Sequence, residues 1–272
     1  MTPTPAHAHS TPRLAPEILD YYALGREDSR LREGTGRLEL WRTQDILRRI
    51  LPEQHGRLLD VGGGSGVHAE WLAADGWGVE LIDPVPSHVE QAAALAGVTA
   101  RLGDARALDV GDATADVVLL LGPLYHLPDP GERGRALAEA ARVVRPGGLV
   151  VAATINRYAA LHDQLNRGGW FEPGRRARLE ATAATGRVHT GGDFTTAYFH
   201  EPAAIAAEMT ASGLTVTGQY GVEGAGWLMA DIAAYLEDDS KRDAVLAALR
   251  ITESDPALLG ISGHLLTAAR RE

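Results

Sequence analysis

Three aspartates and a run of glycines carry the chemistry legible in this chain: Asp60, Asp83 and Asp104, with glycines at 62, 63, 64 and 66. Arg57 to Gly66 reads R-L-L-D-V-G-G-G-S-G. Glycines there let the backbone turn sharply, and they let a ligand approach main-chain atoms with no Cβ in the way. Leu58, Leu59 and Val61 predict a short buried strand before the turn, and Val67 to Ala74 predict an apolar helix after it. Strand, glycine turn and helix N-terminus make a nucleotide-type binding loop at the edge of a parallel sheet. The carboxylate of Asp60 lies close to that loop, which disfavours a pyrophosphate and suits a ligand with a cationic end. The dinucleotide pattern G-x-G-x-x-G/A fails from Gly62, where Val67 takes the third position. It fits from Gly64 with Gly66 and Ala69, so the loop alone leaves both ligand classes open.

Val79 to Asp83 reads as a second strand ending in an acid, where a carboxylate can accept both hydroxyls of a ribose. Ser87 with Glu90 predicts a capping box for the next helix, which would leave Asp83 free for a ligand. A third strand, V-T-A-R-L, ends at Gly103-Asp104-Ala105. The fourth, Asp116 to Gly122, is a continuous apolar run suited to burial on both faces. It delivers G-P-L-Y-H-L, including Tyr125 and His126, to the carboxyl edge of the sheet. Histidine titrates near neutral pH, which makes His126 the leading candidate for a base or orienting group. Asp129 caps a helix that ends at R-P-G-G, Arg145 to Gly148, and a fifth strand, L-V-V-A-A-T-I, follows.

Residues 1 to 14 read as a disordered tail in which His7 and His9 are incidental. Residues 15 to 56 form an N-terminal helical segment: a short helix opened by Pro16 and a second from about Arg37 to Leu51. From Asn156 to Glu201 the periodicity breaks, and a long irregular insertion at that place predicts a cap over the site. Its last stretch, Asp193 to His200, reads as an extended segment lining a pocket. A helix over 202–212, a strand from Leu214, a rim helix from Gly226 and another capped by Ser240 with Asp243 come next. Ile261 to Ala269 reads as the last strand, with His264 at its middle as a core or sheet-face histidine.

The spacing Asp60-x-Gly62-x-Gly64-x-Gly66, together with Asp83, Asp104 and R-x-x-R-P-G-G, resembles the class I S-adenosylmethionine-dependent methyltransferases. The resemblance covers residues 57–155 closely and the end of the chain in layout. It implies an α/β fold: a seven-stranded, mostly parallel, doubly wound sheet over residues 57–272, with N-terminal helices and a cap insertion (156–201) after the fifth strand. It implies that the seventh strand inserts antiparallel between the fifth and sixth. The implied cofactor is S-adenosyl-L-methionine, held by Asp60, Gly62, Gly63, Gly64, Asp83, Asp104, Ala105 and Gly122. Asp104 would take the adenine amino group. Helices ahead of the first strand commonly cover the cofactor in this family. That makes Tyr21, Tyr22, Arg30 and Arg42 candidates to touch it, against a reading in which the tyrosines pack and the arginines are solvated. G-P-L-Y-H departs from the N-P-P-Y or D-P-P-Y pattern of amino-group methylation in nucleic acids and some proteins. A small-molecule acceptor in specialised metabolism is the expectation, with Tyr125, Tyr198 and Trp227 lining its pocket and His126 and His200 as catalytic candidates. Asp193 and Glu223 are further pocket candidates.

The 272 residues carry 36 acidic against 26 basic side chains, a formal charge of −10, and 45% hydrophobic residues. That surface repels a phosphate backbone, so no nucleic-acid partner is expected. No cysteine is present, which removes disulfides, thiolate metal sites and a cysteine nucleophile. No His and carboxylate spacing suggests a metal. No apolar run approaches the ~20 residues that span a bilayer, and no signal-peptide core stands at the N-terminus, so a cytoplasmic protein without a membrane partner is expected. A homo-oligomer stays open. So do two other classes: a non-catalytic protein of the same fold, and a nicotinamide-dependent oxidoreductase.

Overall fold

The structure, a computed structural model, describes residues 30–188 and 194–272. The tail, the helix expected after Pro16, Tyr21, Tyr22 and Asp193 lie outside the described residues. Helix α1 (Gly36–Ile50) leads into β1 (Arg57–Val61), α2 (Val67–Ala74), β2 (Gly78–Asp83), α3 (Pro86–Ala93), β3 (Val98–Leu102) and β4 (Ala115–Leu120). Then come α4 (Pro130–Val143) and β5 (Val144–Ile155). The sheet runs β3-β2-β1-β4-β5-β9-β8, where β8 is Leu214–Gly221 and β9 is His264–Arg271. Pairs from β3 to β5 are parallel, and β9 is antiparallel to both β5 and β8. This is the seven-stranded, mostly parallel, doubly wound α/β sheet that the sequence implies.

Alternation along the strands sends side chains to two cores. Leu59, Val118, Leu120 and Val150 pack with Leu137 and Ala140 of α4 and with Ile205 and Met209 of α7 (Pro202–Ala211). Leu58, Val117, Leu119 and Val151 pack on the opposite face with Ile46 and Leu47 of α1, Leu72 of α2 and Ala92 of α3. Burial on both faces explains the near-continuous apolar runs of β1 and β4. Gly147, in R-P-G-G, has φ +75° and lies on β5 opposite the register shift between Ala115 and Val117. The segment expected as a turn is therefore the irregular start of β5.

The insertion is more ordered than its lack of period predicts. It holds α5 (Ala159–Asn166), α6 (Pro173–Thr185) and an antiparallel pair, β6 (Arg187–Val188) with β7 (Ala197–Tyr198). The rim helix expected from Gly226 is broken into a 3-10 turn and α8 (Ile232–Glu237). Helix α9 (Asp239–Thr252) is capped by Asp238, which accepts from Lys241 N at 3.0 Å, and not by Ser240. Asp238 lies two residues ahead of Ser240, directly before the helix and in extended backbone, where a cap must sit. Likewise Ser87 and Glu90 form no capping box: Pro86 takes the first helical position and the cap residue is Val85. Among the described residues no helix is long and apolar enough to cross a membrane.

Candidate functional site: a glycine-lined cleft at the carboxyl edge of the sheet

The cleft opens where β1, β2, β3 and β4 end. Gly62 N donates to Ile82 O at 2.7 Å, which ties the loop to β2. Gly62 has φ +72°, and a Cβ there would stand 2.8 Å from Pro123 Cδ. At Gly63 a Cβ would stand 2.6 Å from Asp60 Oδ2. These two glycines are therefore required by packing, before any ligand is considered. Gly64, with φ +59°, faces open space instead; its Cβ would meet only His88 Nδ1, at 4.0 Å.

The cleft is lined by Asp60, Gly62, Gly63, Gly64, Asp83 and His88 at one end. Gly103, Asp104 and Ala105 follow β3, and Gly122, Tyr125 and His126 follow β4. Asp60 is fully buried, and neither carboxylate oxygen has a hydrogen-bond partner among the described residues. Burial, with the charge of Asp83 second, pushes its carboxyl up to about 7. A buried acceptor without a donor costs free energy unless something else satisfies it. A ligand with a cationic, hydrogen-bond-donating end does so, and the ammonium of S-adenosylmethionine is such an end.

Asp83 is not free in the sense expected from the sequence. Its Oδ2 accepts from Gly64 N at 2.9 Å, and its Oδ1 accepts from Val85 N at 2.9 Å and faces His88 Nδ1 at 3.1 Å. These bonds fix the carboxylate against the loop, and a carboxylate has about four lone-pair sites to share. Asp104 accepts from Arg106 N at 2.9 Å and is gripped by the Arg106 guanidinium at 2.6 Å, which also reaches Glu132 at 2.6 Å. His126 is buried, stacked on Phe194 at 5.9 Å. Burial holds its imidazole down to about 4, against a backbone bond to Thr196 that acts in the other direction.

Four candidates from the sequence stand elsewhere. Arg42 is fully buried away from the cleft; it donates to Val222 O at 2.9 Å and pairs with Asp45 at 2.7 Å and Glu253 at 2.5 Å. It anchors α1 to the rim. Trp227 donates to Ile261 O at 3.0 Å and packs between the rim and the cap. Tyr198 and His200 belong to a network at the base of the cap, where the insertion meets α4 and α7. His200 extends the β5 edge, its N–H donating to Ile155 O at 2.8 Å, and its Nε2 lies 3.4 Å from Glu208. Burial lowers the His200 pKa. The Arg133 guanidinium lies 4.0 Å from the Tyr198 ring centroid, bonds Glu208 at 2.7 Å and donates to Leu127 O at 2.9 Å. Physically the correction is one of depth: burial at these positions is settled by contacts with distant segments that the local sequence does not specify. Arg133→Ala should cost about 3 kcal/mol, because it leaves a half-buried carboxylate with only His200 beside it. Chemical denaturation measures this, and a loss below about 1 kcal/mol would show that the network does not brace the cap.

Among the cleft residues that escaped the sequence reading, besides His88, are two more titratable ones. Glu39, between Leu38 and Leu40 on α1, lines the cleft. So does His68, whose burial holds it down to about 4. A lone acid inside a buried L-E-L run was the available signal for Glu39. Beside it stand His264 and Glu223, joined at 2.6 Å, with Glu39 Oε2 at 3.7 Å from His264 Nδ1. His264 is the first residue of β9, not a mid-strand position, and it is half-buried and ion-paired.

A doubly wound sheet with a glycine loop after β1 and acids closing β1, β2 and the β3 turn defines a nucleoside-cofactor-binding α/β protein. The chain matches the methyltransferase domain family over residues 36–219, and it belongs to that family. Its fold is that of the class I enzymes, and S-adenosylmethionine is its expected cofactor. An uncharacterized methyltransferase of Mycobacterium tuberculosis (strain ATCC 25618 / H37Rv) is 38% identical over 100 residues, 36% of this chain and 40% of that protein. A ubiquinone biosynthesis O-methyltransferase of Methylocella silvestris is 40% identical over 106 residues, 37% of this chain and 40% of that protein. These matches span about two fifths of the relatives' length. A solved S-adenosylmethionine-dependent methyltransferase of Methanosarcina mazei superposes with a TM-score of 0.56 at 18% identity, covering 83% of this chain and 96% of that one.

Proposed function

We propose that this protein transfers a methyl group from S-adenosylmethionine to a small organic acceptor. The observation that carries this reading is the buried, unpartnered Asp60 carboxylate in a glycine-lined cleft. When bound, S-adenosylmethionine supplies a methyl carbon made electrophilic by its sulfonium. The residues of the chain do the rest. Asp60 receives the ammonium, and Asp83, fixed by Gly64 and Val85, offers its remaining lone pairs to the ribose. Ala105 and the β3 turn border the adenine end. Asp104 reaches the adenine amino group if Arg106 shares its grip.

The acceptor side is formed by Tyr125 and His126, with Phe194 stacked on His126. An apolar cluster of Ile155, Ala159, Ala197 and Phe199 stands behind Tyr125. This favours a flat or apolar acceptor, in keeping with the O-methyltransferase relative named for ubiquinone biosynthesis. Alignment of acceptor and methyl, with water excluded, supplies most of the acceleration. His126 is neutral at pH 7, so it can accept a hydrogen bond from an acceptor hydroxyl. Burial makes its charged form costly, which suits an orienting role over full proton abstraction.

Titration with S-adenosylhomocysteine, with NAD and NADP as controls, followed by a panel of phenolic and quinol acceptors, tests the reading. Binding of the sulfur compound alone, with methyl release to one acceptor class, is the expected result. Nicotinamide binding in its place would overturn it. His126→Ala should lower turnover by about 10²-fold with cofactor affinity changed less than threefold, read as kcat against Kd. An equal loss in both would move His126 to cofactor binding.

A further inference from the structure

The cofactor reading leaves one costly construction unexplained. Glu39 sits on α1, next to Leu40, and Leu40 packs with Leu31 on Val67 at the first residue of α2. That contact lays α1 over the start of the loop helix and puts the Glu39 carboxylate into the cleft wall, at the glycine-loop end. Arg30 bonds Glu39 at 2.7 and 3.1 Å from the outer side. From the sheet side, His264 presents Nδ1 at 3.7 Å. His264 is itself fixed by Glu223, whose Oε2 accepts from Ser262 Oγ at 2.9 Å and from His264 N at 2.8 Å. A nearby arginine and two segments from the far end of the chain thus converge to hold one carboxylate in the cleft wall. Burial alone would push that carboxyl up, but the charges of His264 and Arg30 hold it at about 2. His68, which also lines the cleft, is held down to about 4 by burial and is therefore neutral at pH 7.

We infer that Glu39 is a second carboxylate, besides Asp60, for the cationic amino end of the bound cofactor, and that His264 and Glu223 are positioning residues for it. This rests on the cofactor reading above and adds to it a contact from the covering helix. A carboxylate offered from α1 as well as from β1 closes the cleft over the amino-acid part of the ligand. It also makes recognition of the ammonium depend on α1 being docked. Sites need such a supporting layer when the primary group must be held in one orientation.

The test compares binding of S-adenosylhomocysteine with that of its analogue lacking the α-amino group, by calorimetry on the full chain. Wild type should prefer the amino compound by about a hundredfold, since two charge-assisted contacts are at stake. Glu39→Gln should cut that preference by about tenfold or more while leaving the affinity for the analogue within about threefold. Glu223→Gln should cut it by a smaller factor. If Glu39→Gln fails to fold, Glu39→Asp, with its shorter reach, should lower the preference in the same way. No preference in wild type, or an undiminished preference in the Glu39 variant, overturns the inference while S-adenosylhomocysteine still binds. Failure of wild type to bind S-adenosylhomocysteine at all would instead sink the cofactor reading itself.

Discussion

Replacing Gly64 by valine should leave a folded protein that no longer takes its cofactor. The residue has φ +59°, a conformation that costs a side-chain-bearing residue about 1–2 kcal/mol and a β-branched one the upper end of that range. Packing adds little, because the new Cβ would meet only His88 Nδ1 at 4.0 Å. The rest of the valine projects toward the space where a ligand must pass close to the loop. Affinity for S-adenosylhomocysteine should therefore fall at least about a hundredfold, while the unfolding midpoint moves modestly. Gly62 and Gly63 make the contrast: a Cβ at either collides with Pro123 or Asp60, so alanine there should damage folding as well. Normal titration by the Gly64 variant would show that the loop does not hold the cofactor.

The second large effect has opposite signs for stability and for binding. Asp60→Asn should make the ligand-free protein more stable and the liganded one weaker. The Asp60 carboxyl rises from an ordinary 3.8 to about 7 in the folded chain. A carboxyl so raised leaves stability intact below pH 4 and erodes it as pH climbs through 7, because the folded state must give up a proton it holds tightly. At pH 8 the full penalty is of order 4 kcal/mol, less the ~1–3 kcal/mol that an unpartnered buried amide costs in the variant. The variant should thus gain about 1–3 kcal/mol over wild type at pH 8, with the gap shrinking as pH falls and reversing sign toward pH 4, where only the buried-amide cost of about 1–3 kcal/mol remains. Its affinity for S-adenosylmethionine should drop about ten- to a hundredfold. Thermal melts across that pH range, with and without ligand, measure both. Equal melting at pH 8 would mean that Asp60 is satisfied in the free protein.

Much of this was legible because the site is built from strand ends. A residue that closes a β-strand in a doubly wound sheet is placed by the strand itself, so Asp60, Asp83, Asp104, Gly122 and His126 could be set at one edge from local pattern alone. Helix α2 and strand β3 match the expected limits, and β9 inserts between β5 and β8 as the family resemblance implies. What was not legible depends on contacts between distant segments. Arg42 looked like a cleft residue but is spent on Val222 and Glu253, far along the chain. His200 and Tyr198 lie in the insertion, where no period shows which side is covered, and Arg133 and Glu208 settle it. Glu39 was missed for the complementary reason: an acid on an amphipathic helix reads as solvated until the helix is seen lying across a cleft. The capping box at Ser87 failed more simply, because Pro86 had already set the helix start.

The placement of β9 bears on how the chain is made. On the ribosome β9 emerges only after the cap, α7, β8 and both rim helices, yet it pairs on one side with β5 from Leu149 to Ile155 and on the other with β8. Until then the β5 edge is an open row of unpaired backbone groups, the kind of surface on which nascent chains associate and chaperones act. The carbonyl of Val222 and the carboxylate of Glu253, which fix α1 through Arg42, also arrive late. A partly synthesised chain can hence assemble the β3-β2-β1-β4-β5 floor and its glycine loop while the covering helix still lacks its anchor. Binding competence comes late, and a stall after β5 but before Glu253 should yield a molecule with its loop formed and its covering helix untethered.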